Sequence, residues 1–526
     1  MGLFSNTPES YDGYTLFAPM SGTTTYLINN CGEKVHSWNS AYEPALSVYL
    51  LENGTLLRTG TLDNLDFDAG GSGGVVEMID WNGNVIWEYT VSSTTECQHH
   101  DVEYLPNGNV LIIVWDLKTT VEADQAGRTT MGASVWSEKI IEVTPDYTTG
   151  SGGTIVWEWQ VWDHLVQDAD AQKDNYGDVG NSPELIDINY TTTNLSNEDW
   201  LHFNSIDYNP ELDQIVLSTR SNCEIWIIDH STTTAEAAGH TGGNSGKGGD
   251  LLYRWGNPDA YDQGTSSDQQ LYSQHDAQWI PTPYPNGGKI TVYNNQAGDA
   301  VGQNYSEITM IETPVDGSGN YQYLGGAYTP AAAFWTYQAS NPTDFYSAAI
   351  SGTHALPNGN VLICEGSSGH FFEVDDSGNI VWDYVNPVLN GVPANQEDVV
   401  SGNNTFRCTR YSANYGGLTG QSLTPQGYIE SGSTFSCELY STANVSDISL
   451  DALDAFPNPA KDVVHISAPQ TIEKMQIYNS NGAIVYSESP VSNTVSVQIV
   501  DLPAGLYLVR ANLSNGQTLT KKLVKD

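Results

Sequence analysis

Positive charge is what this 526-residue chain has least of: 18 Lys+Arg stand against 63 Asp+Glu, a formal net charge of -45. So acidic a surface repels phosphate backbones, which argues against a nucleic-acid partner held by a basic face. No apolar run approaches the roughly eighteen residues that a membrane helix needs, so no membrane span is expected. The opening residues, MGLFSNTPES, have neither the basic nor the apolar region of a secretion signal. Cysteine is scarce: Cys31, Cys97, Cys223, Cys364, Cys408 and Cys437 form no CxxC pair, which disfavours a cysteine zinc site or a thioredoxin-like redox motif. Up to three disulfides are possible, as in an oxidising compartment. No CxxCH haem attachment and no CxPxR sulfatase motif exists. The glycine runs at 70–74 and 239–250 lack the GxxxxGK[ST] spacing and have no helix behind them, so no phosphate-cradling loop is read.

What is present is strand and turn. The chain holds 50 Gly and 23 Pro, and a strand, Asn-Gly turn and strand recur at 49–60, 77–91 and 103–115, a theme that returns at 283–293, 354–366 and 372–384. Such turns are expected to place two residues at positive φ. Units near 46–91, 100–161, 202–257, 275–325 and 354–386 each combine such strands, several ending in an aromatic strand such as GNVIWEYTV. Radial repetition of such sheets buries their edges, so the fold expected is all-β: a six-bladed β-propeller over residues 1–445. The sixth blade would pair 13–38 with FRCTRYSA at 406–413, closing the ring with both ends of the chain; five or seven blades are the alternatives.

Beyond residue 445 the character changes. The tail, 446–526, holds six of the 18 basic residues and alternates as short strands, which predicts a separate small β-sandwich. Its AFPNPAKDVVHIS entry and LPAGLYLVR strand closely resemble the C-terminal sorting domain of the type IX secretion system. The resemblance implies export to the outside or the cell surface, with the secretion machinery as partner.

Four of the eleven histidines, His100, His202, His275 and His354, stand at the start of a unit's first strand. In a propeller such positions converge on one axis, and imidazoles gathered there bind a metal, transfer protons or attack an electrophile. His99 is doubled beside His100, and His100 is the one in register with His275. Arg220 is a rare cation in an acidic body, and its guanidinium fork suits a planar set of oxygens. Asn204, two residues from His202 on the same strand face, adds a neutral donor.

WLHFNSIDYNP followed by LSTRS, with HHDVEYLPNGN, QHDAQW and FRCTRYSANYGGL, resembles the bacterial arylsulfate sulfotransferases over most of 10–430. The resemblance implies transfer of a sulfuryl group from an aryl sulfate to a phenol, without a nucleotide sulfate donor and with no cofactor or metal. Position by position it makes His275 the nucleophile, with His100, His202, Asn204 and Arg220 holding and polarising the sulfuryl group; His354 is a further channel residue. A non-catalytic propeller that binds a glycan or protein partner, and aryl sulfate hydrolysis, are the other readings. The acidic loops 62–71 and 167–178 lack EF-hand spacing and read as solvated loops. Trp115, Tyr293 and Phe334 are candidates for an aryl pocket.

Overall fold

The computed structural model describes residues 1–194, 196–433, 435–440, 453–456, 458–479, 483–500, 502–514 and 518–525. The chain divides into two compact units, Met1–Ala443 and Asn444–Asp526. The expected boundary between 445 and 446 lies outside the described residues.

The first unit is all-β, built on six antiparallel sheets. Their first strands are Thr405–Ser412, Pro44–Leu50, Glu96–Tyr104, Phe203–Asn209, His275–Trp279 and Gly352–Ala355. The Thr405–Ser412 strand does lie beside Gly13–Pro19, with Tyr411 opposite Tyr14. The last sheet gains a fifth strand that the pattern did not announce, Gly2–Asn6, paired with Ile380–Val385. The fifth sheet runs to Trp335–Tyr337, beyond the expected end at 325. An apolar core fills the space between each sheet and the next. Leu57 and Trp87 meet Val110 and Ile112, Leu217 and Trp226 meet Ile140 and Trp159, and Phe17 and Ile28 of the first sheet meet Trp382 and Tyr384 of the sixth. These strands are apolar on both faces because each sheet is covered on both sides.

The hairpin turns differ from expectation. At residues 51–55, 80–84, 105–109, 356–360 and 375–379 the first residue's N–H donates to the fifth residue's carbonyl. Its own carbonyl accepts from the glycine N–H at the fourth position, as from Gly54 to Leu51 at 2.9 Å. Only the glycines Gly54, Gly83, Gly108, Gly359 and Gly378 take positive φ, between 80 and 93°. These are three-residue loops ending in a glycine bulge, which need one left-handed residue rather than two.

Of the six cysteines, Cys31 and Cys437 form a disulfide across 406 residues of sequence, and Cys97, Cys223, Cys364 and Cys408 are buried free thiols. One bond thus replaces the three that the count allowed. Closing so long a loop restricts the unfolded chain, and Cys437→Ser is expected to cost about 2–4 kcal/mol of stability. Thermal denaturation of variant and wild type under oxidising conditions checks this; equal midpoints would refute it.

In the second unit a 17-residue strand, Val463–Asn479, changes partners along its length. Its first part pairs with Ser492–Gln498, and its second part with Ile484–Glu488 and Gly505–Leu513. Val464, Ile466, Met475, Ile477, Val509 and Leu523 share one core. Among the described residues no helix is long and apolar enough to cross a membrane.

Candidate active site

The first strands of the sheets bulge where the chemistry-bearing residues stand. His100, His202 and Asp276 have φ of 51, 54 and 59°, and Ser351 of 85°. The pairing register slips beside the first three. Left-handed backbone at bulky residues is strained, and such strain gathers at functional sites because the surrounding fold must impose it. At Glu96–Tyr104 the bulge defeats the simple alternation that separates neighbouring side chains. His99 and His100 therefore meet, with their Nδ1 atoms 2.9 Å apart. Gly71 makes room: a Cβ there would fall 2.0 Å from His100 Cε1, and its carbonyl accepts the His100 N–H at 2.9 Å. The glycine run at 70–74 thus serves close approach to an imidazole.

His100 and His202 rings lie 4.6 Å apart, centroid to centroid. His100 and His275 both face Phe406, at 6.1 and 6.5 Å. Arg220 sits in a short turn, Arg220–Asn222, at the end of the Gln214–Thr219 strand, and its N–H meets the His202 carbonyl at 3.3 Å. The spacing of eighteen residues is the length of the hairpin that folds one back on the other. Among the described residues no hydrogen bond or ion pair to the Arg220 guanidinium is formed, although the chain is crowded with carboxylates. A cavity of about 320 Å³ opens between Arg220, His202, Asp199, Ser221, Trp136 and the 68–70 loop.

Each histidine is oriented. His275 Nδ1 lies 2.7 Å from Asn295 Oδ1. The Asn295 amide nitrogen donates to the carbonyls of Ser347 and Ile350, both at 2.9 Å, so its oxygen must face the ring. His275 Nδ1 therefore carries the proton and Nε2 the lone pair, which accepts the Ile350 N–H at 3.2 Å. Burial, and next the Arg220 charge, hold His275 well below the usual imidazole pKa, so it is neutral at neutral pH. His202 Nδ1 is 2.5 Å from Asp199 Oδ2. Burial favours the protonated Asp199 carboxyl, yet the neighbouring His202 outweighs it and leaves that pKa lowered. His99 Nε2 is 2.7 Å from Glu138 Oε2, and burial, then Asp199, pushes the Glu138 carboxyl well above its ordinary range.

Beside these rings lies a buried ion network. Arg407 binds Asp101 at 2.7 Å and Asp276 at 3.1 Å, and donates to the Tyr49 hydroxyl and the Asn204 carbonyl, both at 2.8 Å. Asp276 also accepts the Thr353 N–H at 2.8 Å. One guanidinium from the first sheet thereby reaches the first strands of four others, and Asp276 adds the sixth. A buried cation so surrounded is a fastening, since removing either sign would leave an unpaired charge.

Three expectations change. His354 is not brought to the cluster; its Nδ1 is 3.2 Å from Gln278 Oε1, and burial lowers its pKa to about 4. Gly352 is the residue of that strand level with Asp276, and His354 stands two residues, roughly 6–7 Å, further along. Asn204 donates one amide N–H to the Gln274 carbonyl at 2.7 Å, fixing the residue before His275, while its buried Oδ1 has no partner among the described residues. Trp115 is fully buried behind the site, stacked on His99 at 4.0 Å; Tyr293 is buried in a core, and Phe334 is exposed beneath Lys289. The aromatic wall of the cavity is Trp136. Sequence reasoning also missed Glu138, Asp199, Asn295 and the role of Arg407. Only Arg407, in the FRCTRY segment and rare by charge, left a signal.

Oriented imidazoles, with His100 and His275 held well below the usual imidazole pKa by burial, and an uncommitted guanidinium in a β-sheet scaffold suit group transfer to or from an oxyanion. The chain belongs to the arylsulfotransferase (ASST) family, which residues 3–386 match, and so to proteins with aryl sulfotransferase activity. Residues 454–526 match the secretion system C-terminal sorting domain, and the protein is secreted or held at the cell surface. No curated protein matches the chain. Among solved structures, a Bacteroides caccae protein of unknown function is 12% identical, covering 76% of this chain and 99% of that one with a TM-score of 0.41. Kuenenia stuttgartiensis hydrazine synthase is 15% identical over 59% of this chain and 71% of that one, with a TM-score of 0.33. Staphylococcus aureus virginiamycin B lyase is 11% identical over 73% and 87%, with a TM-score of 0.32.

Proposed function

We propose that the six sheets are the blades of a six-bladed propeller, followed by a small sandwich that directs type IX secretion. At the propeller axis the protein transfers a sulfuryl group from a phenolic sulfate ester to a phenolic acceptor by a ping-pong route through sulfohistidine. The observation that carries this reading is the fixed tautomer of His275, which leaves the lone pair on Nε2 in a ring that feels the charge of the free Arg220 guanidinium. Nε2 attacks sulfur, the S–N bond forms as the aryl S–O bond breaks, and the electron pair leaves on the phenolate oxygen. The long Ile350 N–H contact is given up by Nε2 and becomes available to a sulfuryl oxygen. Arg220 takes the charge on the other oxygens, and His100 or His202 protonates the leaving oxygen. A phenol then attacks sulfohistidine and returns the histidine.

Incubation with a chromogenic aryl sulfate, with and without an added phenol, tests this when phenol release and intact protein mass are followed together. Acceptor-stimulated release with a sulfuryl adduct on a His275 peptide is expected. Release indifferent to acceptor would mean hydrolysis, and no release or adduct across a donor panel would overturn the catalytic reading. Arg220→Ala is expected to lower kcat by about 10²-fold, the scale of losing one preorganised donor, while leaving the fold intact. Unchanged kcat with a raised KM would make Arg220 a binding residue only.

A further inference from the structure

Away from the axis, three metal-ligating side chains meet on the first unit: His164, His240 and Asp250, with donor atoms all within 4.8 Å of one another. We propose that they bind a divalent transition-metal ion of the zinc class, which staples the glycine-rich loop 239–250 to the chain segment after the Gly153–Gln160 strand.

His164 is fully buried, and its Nε2 lies 2.8 Å from the Ala237 carbonyl, which only accepts. That nitrogen therefore carries a proton, and in the neutral ring Nδ1 holds the lone pair. Nδ1 points at Asp250 Oδ1, 2.9 Å away. His240 Nδ1 points at the same oxygen from 2.8 Å. One carboxylate oxygen thus faces two imidazole nitrogens, one of them a lone pair in its neutral state; a shared cation resolves the repulsion.

The surroundings are those of a ligand set. A metal-binding histidine ordinarily donates its other N–H to a carbonyl, as His164 does. Its ring is stacked on Trp159 at 5.6 Å, and the Trp159 indole N–H fixes the Gly249 carbonyl, one residue before Asp250, at 2.7 Å. Gly249 must be glycine for this: a Cβ would fall 2.6 Å from His164 Nε2 and 2.0 Å from the Ala237 carbonyl. His240 is 61% exposed, which leaves an entry path and a fourth position for water. Two imidazoles and a carboxylate suit zinc in tetrahedral geometry and disfavour calcium or magnesium, which prefer all-oxygen shells. The donors stand 76 and 10 residues apart in sequence, so no short motif announced them.

Full-length protein stripped with a chelator and titrated with zinc tests the site by calorimetry and bound-metal analysis. Wild type is expected to take up one zinc ion more than His240→Ala, whose exposed side chain is dispensable for folding, and Asp250→Asn is expected to weaken that uptake by at least about 100-fold. Chelation should lower the unfolding temperature of wild type and not of His240→Ala. Equal zinc stoichiometry and affinity in wild type and His240→Ala would overturn the proposal, since any uptake would then belong to the axial histidines. Absence of uptake by wild type would overturn it as well.

Discussion

Replacing His275 with Ala is expected to lower aryl sulfotransfer by on the order of 10⁴- to 10⁶-fold, the scale of losing a covalent nucleophile, and to remove the sulfuryl adduct from the protein. The size follows from what the rest of the site cannot replace. His202 Nδ1 is engaged by Asp199 and His100 Nδ1 by His99, which on the proposed route leaves both to move protons. Of these three rings, His275 is the one whose proton is assigned by a neutral amide, Asn295, which orients it without making it strongly basic. Burial and Arg220 keep it unprotonated even at pH values where a free histidine is charged. Formation of the adduct should therefore persist as pH falls through the ordinary imidazole range, and decline only nearer the lowered His275 pKa. Intact-mass measurement of His275→Ala after exposure to aryl sulfate reads the outcome directly. An adduct that survives, mapped to His100, His202 or His354, would reassign the nucleophile.

What the sequence revealed and what it hid follow from the range of each interaction. Hairpins were legible because glycine turns and apolar alternation are local; the turn type was not, because only one of the two turn residues needs positive φ. The union of both chain ends in one sheet was legible from strand pattern alone. His100, His202 and His275 were legible through their common place at strand starts and Arg220 as a rare cation eighteen residues after His202, and the structure brings His100, His202 and His275 together with Arg220 beside them. His354 shares the pattern but misses the cluster, because pattern carries no measure of how far along its strand a residue stands relative to the neighbouring sheets. Glu138, Asp199 and Asn295 come from loops and from other strands, where nothing in the sequence distinguishes them from the rest of the 63 acidic residues or from the other asparagines.

Glu138→Gln separates a proton relay from simple ring packing. Glu138 Oε2, His99 and His100 form a continuous buried chain, with contacts of 2.7 and 2.9 Å. With Glu138 protonated, His99 Nε2 accepts, His99 Nδ1–H donates to His100 Nδ1, and His100 Nε2 presents a proton to the site. On the proposed route, when that proton passes to the departing phenolate, His99 Nδ1 would pass its own to His100, and Glu138 would supply His99. The chain would end with a Glu138 carboxylate and a His100 Nε2 lone pair, ready to accept a proton from the acceptor phenol. Burial keeps the Glu138 pKa well above the carboxylate range, which brings the two arrangements nearer in energy than an exposed acid would allow. Glutamine preserves shape: its oxygen still accepts the Phe203 N–H, a bond of 2.9 Å in wild type, and its amide still donates to His99. It cannot give up a proton, so His100 would hold its Nε2–H without transferring it. A nitrophenyl sulfate, whose phenolate leaves unaided, should lose little in adduct formation. Sulfate esters of unactivated phenols, and transfer to unactivated phenols, should slow by about 10³-fold. A loss that is the same for every leaving group would show that Glu138 only positions His99, and no loss at all would remove the relay from the mechanism.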